Sequence, residues 1–385
     1  MKIAITADVC LSPLSRLDHA VILVEDTLIR EVGTRDTLTI PAGYQELSLG
    51  AHVLAPGYVD IHIHGGAGHD VMEATPAALE QIELHLARTG VTTYVPTTVT
   101  ASIETTLRAL EGLANAIERP SDGLRARPVG IHLEGPFISH AKRGVHPPEH
   151  LKEPSVDLFD RFYHAARGHV RLMTVAPELP HAMQLIEHAA RKGVAVSVGH
   201  SNATLNDTQV AMGAGARHAT HTFNAMRPLD HREPGILGAV LTDFDLSAEI
   251  IADGVHVAPE IIKLFVKVKG ADRAVLVTDA ISATGMPDGD YRLGAFTVTV
   301  SNGVASLEGK LAGSVLTLDR AVRNVMRFSG WDLAHSVRLA SANPARVVGL
   351  TDAGRIEPGA RADFVVLDTD GNVVNTIIAG RPNHI

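Results

Sequence analysis

Apolar and polar positions fall into two regimes along the chain. At both ends, short apolar runs are paired across polar turns: Ala20 to Val32 carries two runs around Glu25 and Asp26, and Asp363 to Ile378 carries two around Asp370, Gly371 and Asn372. Each pattern predicts a β-hairpin. Between the ends, runs rich in Val, Ile and Thr alternate with segments of helical period. Leu79, Ile82 and Leu86 follow a Thr75, Pro76 start, and Leu107, Leu110, Leu113 and Ile117 follow Ser102. A capping residue ahead of a 3.6-period apolar stripe predicts an amphipathic helix. Strand alternating with helix implies a parallel sheet.

The strand candidates are Tyr58 to Ile63, Thr92 to Val95, Val129 to Leu133, Val170 to Val175, Val194 to Val198, Arg217 to Thr220, Leu246 to Ile251 and Ala274 to Val277. Eight βα units close into a barrel whose chemistry lies at the C-terminal strand ends. Tyr291 to Leu311 reads as a β excursion within the last unit. The predicted architecture is an α/β chain: a (β/α)8 TIM-type barrel over 55–349, with a small β-sandwich domain formed jointly by 1–54 and 350–385. Beyond the βα period there is no internal repeat.

Composition agrees with this division. At 385 residues, 45% hydrophobic and 20% charged, the chain can bury a large core. A barrel of ~250 residues leaves over a hundred for an accessory unit. The formal charge of -9 offers no global basic field for nucleic acid or an anionic membrane, so an anionic ligand must be held by local groups. Cys10 is the only cysteine, which excludes an intrachain disulfide and any cysteine-based zinc site. The first nine residues lack the long apolar core of a signal peptide, and no apolar stretch is long enough to span a bilayer. A cytoplasmic protein is expected.

Candidate chemistry collects at the strand ends. His62 and His64 stand two apart, so both imidazoles project to the same side of a strand and can reach one point. Glu134, His200, His221 and Asp279 each follow a separate apolar run, as do Asp253 and His256. A lone histidine such as His169 or His188 is usually a structural imidazole, and the His62, His64 pair alone reads equally well as structural. Six such residues at the ends of five strands are harder to explain by packing. Imidazole and carboxylate without thiolate suit zinc, with iron, manganese and cobalt as alternatives, and leave a position open for water.

The segment Pro56 to Gly65, with its His62, Ile63, His64 core, resembles the opening metal motif of the amidohydrolase superfamily. His132 to Phe137, then Gly199, His200 and Ser201, then Thr220 to Met226, then Val277 to Ala280 resemble, in the same order, the N-acetylglucosamine-6-phosphate deacetylase family. That resemblance implies Glu134, His200 and His221 as principal metal ligands and Asp279 as catalytic acid and base, close to the metal. Some members lack the histidine pair and hold one metal. Retention of His62 and His64 implies a second, so one or two divalent ions per subunit are expected. The carboxylated lysine that bridges metals in another branch has no counterpart, because no lysine lies in the strand candidates. Glu134 takes that place.

The same resemblance implies a phosphosugar substrate. Val145 and His146, in the loop Arg143 to His146, and His256 correspond to sugar contacts. Asn224 and Ala225 add donors beside the phosphate, and Leu311, Ala312 and Gly313 lie over the acetyl group. Arg232, in the turn His231 to Gly235, matches the phosphate clamp, which in the family can come from a neighbouring subunit and so implies a homodimer. A surface ion pair with Asp230 or Glu233 is the competing reading of Arg232. The expected reaction is deacetylation of N-acetyl-D-glucosamine 6-phosphate. The alternatives are another amidohydrolase, acting on a different N-acetyl amino sugar or a cyclic amide, and a non-catalytic phosphosugar-binding protein.

Overall fold

Strands buried on both faces read as near-continuous apolar runs, because helices cover a parallel sheet from outside and side chains fill it from inside. The computed structural model describes residues 2–12, 15–120 and 123–383. All eight expected strands are present as Tyr58–Ile63, Val91–Thr98, Ile131–Glu134, Val170–Val175, Ala195–Val198, Ala216–Ala219, Ser247–Ile251 and Ala274–Val277. Each pairs in parallel with its neighbour. The second strand runs three residues beyond expectation, through Pro96, Thr97 and Thr98, because a proline followed by two threonines reads as a strand stop. The third is split: Arg127–Pro128 pairs first, then Val129 and Gly130 interrupt the strand before Ile131.

The ring closes differently from the rest of its circumference. The first strand meets the segment that follows the last one through an isolated parallel bridge, Ile63 to Ala280. The Asp279 N–H donates to the His62 carbonyl at 2.9 Å and the His64 N–H to the Ala280 carbonyl at 2.8 Å. Below them the Thr278 hydroxyl donates to the buried Asp60 carboxyl at 2.6 Å, and burial pushes that carboxyl up to about 7. The seam therefore lies beneath the candidate ligands and fixes their backbone.

The first two helices are Pro76–Arg88 and Ile103–Glu118. Thr75 caps the Ala78 N–H with proline in the first turn, and Ser102 caps the Thr105 N–H. After the last strand comes an antiparallel sheet of Gly289–Leu293, Phe296–Ser301, Val304–Leu307 and Lys310–Leu311. Its inner residues Leu293, Val298 and Val300 pack on Ile281 and Ala283, which sets the excursion over the barrel mouth.

Both termini build one eight-stranded sheet. Lys2–Ser12 pairs with Ser15–Glu25, which pairs with Leu28–Thr34, while Phe364–Leu367 pairs with Val373–Ile378 and joins the N-terminal part through Val53–Pro56. Both expected hairpins are therefore present. Ile3, Ile5 and Ile22 from one half share a buried cluster with Leu54, Phe364 and Ile377 from the other. The expected division at 54/55 falls inside the strand Val53–Pro56, and residues 1, 13–14 and 384–385 of the terminal unit lie outside the described residues. No helix among the described residues is long and apolar enough to cross a membrane.

Candidate metal centre

His200, His221 and Asp279 follow their strands with φ of 47°, 26° and 50°, a left-handed conformation that non-glycine residues seldom adopt. The backbone turns as each strand ends. Strain of this kind costs of order 1–3 kcal/mol per residue and collects at functional sites. Gly135, after Glu134, serves the same geometry: a Cβ there would lie 2.0 Å from the Thr100 hydroxyl oxygen, which is bonded to His146.

Two groups of potential ligands result among the described residues: His62, His64 and Asp279, and Glu134, His200 and His221, with ligand atoms in each within 4.8 Å of one another. Glu134 straddles them. Its Oε1 lies 3.0 Å from His221 Nε2 and 3.3 Å from the Nε2 atoms of His62 and His200, while its Oε2 lies 3.2 Å from His64 Nε2. Asp279 Oδ1 is 3.2 Å from His64 Nε2 and 3.6 Å from His62 Nε2.

The other ring nitrogen sets the role of each imidazole. His62 Nδ1 donates to Glu249 Oε2 at 3.0 Å, His64 Nδ1 to the Thr97 carbonyl at 3.0 Å, and His200 Nδ1 to the Lys142 carbonyl at 2.9 Å. Each thus turns an Nε2 lone pair towards the centre. His146 is reversed: its Nδ1 accepts from the Thr100 N–H at 3.3 Å and faces the Thr100 hydroxyl at 2.8 Å. The ring proton therefore sits on Nε2, 3.5 Å from Glu134 Oε2, as a donor and not a ligand.

The electrostatics favour positive charge at the centre. Burial opposes charge on His64, but hydrogen bonds to Asp279 and Glu134 outweigh it and push the imidazole up to about 9. Burial likewise works against His62, yet Glu134 and Glu249 raise it well above the usual histidine range. Glu134, despite burial, is held well below the carboxylate range by the His62 charge and by hydrogen bonds from His146, His200 and His221. Burial pushes His200 down to about 4. Glu134, Asp279 and Glu249 favour positive charge at His62 and His64, a compensation that a metal ion at their Nε2 atoms would supply instead. The buried His62 Nε2 has no hydrogen-bond partner, and the nitrogen and oxygen donors fit a divalent ion.

The centre opens into a cavity of about 220 Å³. Val145, His146, Asn224, Ala225 and His256 line it, as do Leu311 and Gly313. His256 Nδ1 is 2.7 Å from Asp253 Oδ2; burial opposes a charge on the ring, but Asp253 raises its pKa. Ala312 departs from expectation, facing away into the cluster of the antiparallel sheet. Arg232 is exposed and does not line the cavity of its own chain. Neither ion pair considered for Arg232 forms: Asp230 Oδ1 accepts the Arg232 and Glu233 backbone N–H groups, and Glu233 pairs with Arg227 at 2.8 Å.

Four buried residues at the centre had no role assigned from sequence: Asp60 and His132, which lie inside the quoted motifs, and His218 and Glu249, which lie outside them. All lie within strands rather than beyond their ends. The available signal was a charged or imidazole side chain interrupting an otherwise apolar run.

Comparison with known proteins adds independent findings. Residues 53–382 match the model of the Amidohydrolase family. N-acetylgalactosamine-6-phosphate deacetylase of Escherichia coli O157:H7 is 41% identical over 86% of this chain and 88% of its own length. N-acetylglucosamine-6-phosphate deacetylase of Bacillus subtilis (strain 168) is 37% identical over 85% and 84%. A mutant N-acetyl-D-glucosamine-6-phosphate deacetylase of Mycobacterium smegmatis, solved with N-acetyl-D-glucosamine-6-phosphate, superposes with a TM-score of 0.92 at 38% identity, covering 99% of each chain.

Proposed function

This chain belongs to the amidohydrolase family, and from that premise we propose that it is a metal-dependent deacetylase converting N-acetyl-D-glucosamine 6-phosphate to D-glucosamine 6-phosphate and acetate. The observation that carries the reading is the pairing of two buried ligand groups around Glu134 with an oppositely oriented donor, His146, on the wall of the same cavity. Glu134, His200 and His221 would hold one divalent ion and His62, His64 and Asp279 a second, with zinc best suited to the donors. A bound ion would lower the pKa of water towards ~7 and polarise the amide carbonyl.

The chain's own groups do the rest. Asp279 accepts the proton of the attacking water and returns it to the leaving nitrogen, which cannot depart as an amide anion. The His146 Nε2–H donates to the acetamide oxygen as charge develops there. His256, Asn224, Ala225 and Val145 orient the sugar, and Leu311 with Gly313 covers the acetyl group, braced from behind by Ala312. Arg232 reads the phosphate from the second copy of a homodimer, which fits its absence from the lining of its own chain's cavity. A cytoplasmic location is consistent with a phosphorylated substrate.

The similarity to an N-acetylgalactosamine-6-phosphate deacetylase favours one second reading, the C4 epimer as substrate. Acetate release should be compared for N-acetylglucosamine 6-phosphate, N-acetylgalactosamine 6-phosphate and both unphosphorylated sugars. We expect the first to be hydrolysed fastest and the unphosphorylated pair poorly. Preference for the galacto epimer would establish the second reading, and activity confined to cyclic amides would overturn both.

A further inference from the structure

The only ligand imidazole whose Nδ1 is held by a charged side chain is His62. Its partner, Glu249, sits in the strand Ser247–Ile251, is fully buried, and does not line the cavity. Glu249 touches both ligand groups. Its Oε2 accepts from His62 Nδ1 at 3.0 Å and from the backbone N–H of His221 at 3.0 Å. Its Oε1 accepts from His218 Nε2 at 3.1 Å, and His218 Nδ1 is braced by the Ser247 hydroxyl at 2.8 Å.

From this geometry we propose that Glu249 is a positioning residue for both metal positions, fixing the His62 tautomer for one and the His221 backbone for the other. The inference rests on the metal-centre reading above. A carboxylate meets three N–H donors with two acceptor oxygens. Glutamine in its place has one acceptor oxygen, so an NH2 group must face at least one donor. If that donor is His62, the ring proton moves to Nε2 and the lone pair is lost to the metal. If it is His218, the buried charge is still lost. In either case the support weakens for ligands that a purely packing role would leave untouched. Groups that orient metal ligands in this way typically contribute 10–100-fold in affinity.

The test is a zinc titration of demetallated wild type and Glu249→Gln against a chromophoric chelator, alongside the thermal midpoint of each metal-free protein. The expected result for the variant is zinc affinity lower by about 10–100-fold, a smaller rise of the thermal midpoint on adding zinc than wild type shows, and turnover that recovers in excess zinc with KM unaltered. Wild type that takes up no zinc overturns the metal-centre reading and this inference together. Wild type that binds zinc, with a variant binding within twofold of it, overturns this inference alone. A variant whose metal-free midpoint falls while its zinc affinity holds assigns Glu249 to the fold.

Discussion

The two ends of the candidate substrate path are built to different standards. At the chemical end, His62, His64, Glu134 and His200 are buried, and three of the imidazoles have their second nitrogen bonded to the scaffold. At the phosphate end, Arg232 stands exposed on a turn held by the Asp230 carboxylate accepting two backbone N–H groups. The difference follows from position. Strand ends inherit the rigidity of the barrel, whereas a loop carries little order of its own and is completed by whatever docks on it. The chemical groups thus come together within one chain, and under the proposed function phosphate recognition falls to a second copy.

Variants at each end should separate the two. Asp279→Asn keeps the size of the group but removes proton transfer, and kcat should fall by about 10²–10⁴ with substrate binding retained. Steady-state kinetics on metal-verified protein checks this, and near wild-type kcat would remove Asp279 from the chemical role. Arg232→Ala removes charge-assisted hydrogen bonds to phosphate, and kcat/KM for the phosphorylated sugar should fall about ten- to a hundredfold. The unphosphorylated sugar should be unaffected; equal losses on both would make Arg232 a folding residue.

If the arginine crosses an interface, mixing Arg232→Ala with Asp279→Asn should regain up to about a quarter of wild-type activity, since half the exchanged dimers are hybrids and each carries one intact site. No recovery despite proven subunit exchange would place the clamp in its own chain. The smallest change concerns metal content. Replacing His62 and His64 together by Asn should reduce bound metal from two equivalents to one by elemental analysis, and unchanged content would make the pair structural.

Much of the barrel was legible because its strands are buried on both faces and so read as unbroken apolar runs. Tyr58–Ile63, Val170–Val175 and Ala274–Val277 match the expected bounds. The reading failed where polarity enters a strand, as at Thr97 and Thr98, since consecutive threonines after a proline resemble a turn. The two ligand groups were legible for the converse reason: metal-competent side chains stand where a strand stops. Glu249 was not, because a carboxylate within an apolar run is uninformative until its partners His62, 187 residues away, and His218 are known. The distinction between His146 as donor and the others as ligands depends likewise on Thr100, 46 residues distant. That Arg232 does not line the cavity of its own chain follows from the path of a surface loop, which has no apolar period to read.

Metal-dependent deacetylation is tested most directly by adding zinc stepwise to demetallated protein and following acetate release from N-acetylglucosamine 6-phosphate. Turnover should be absent at the start, rise in proportion to bound zinc, and level off once the centre is filled. Full turnover in protein shown by elemental analysis to hold no metal would contradict the account.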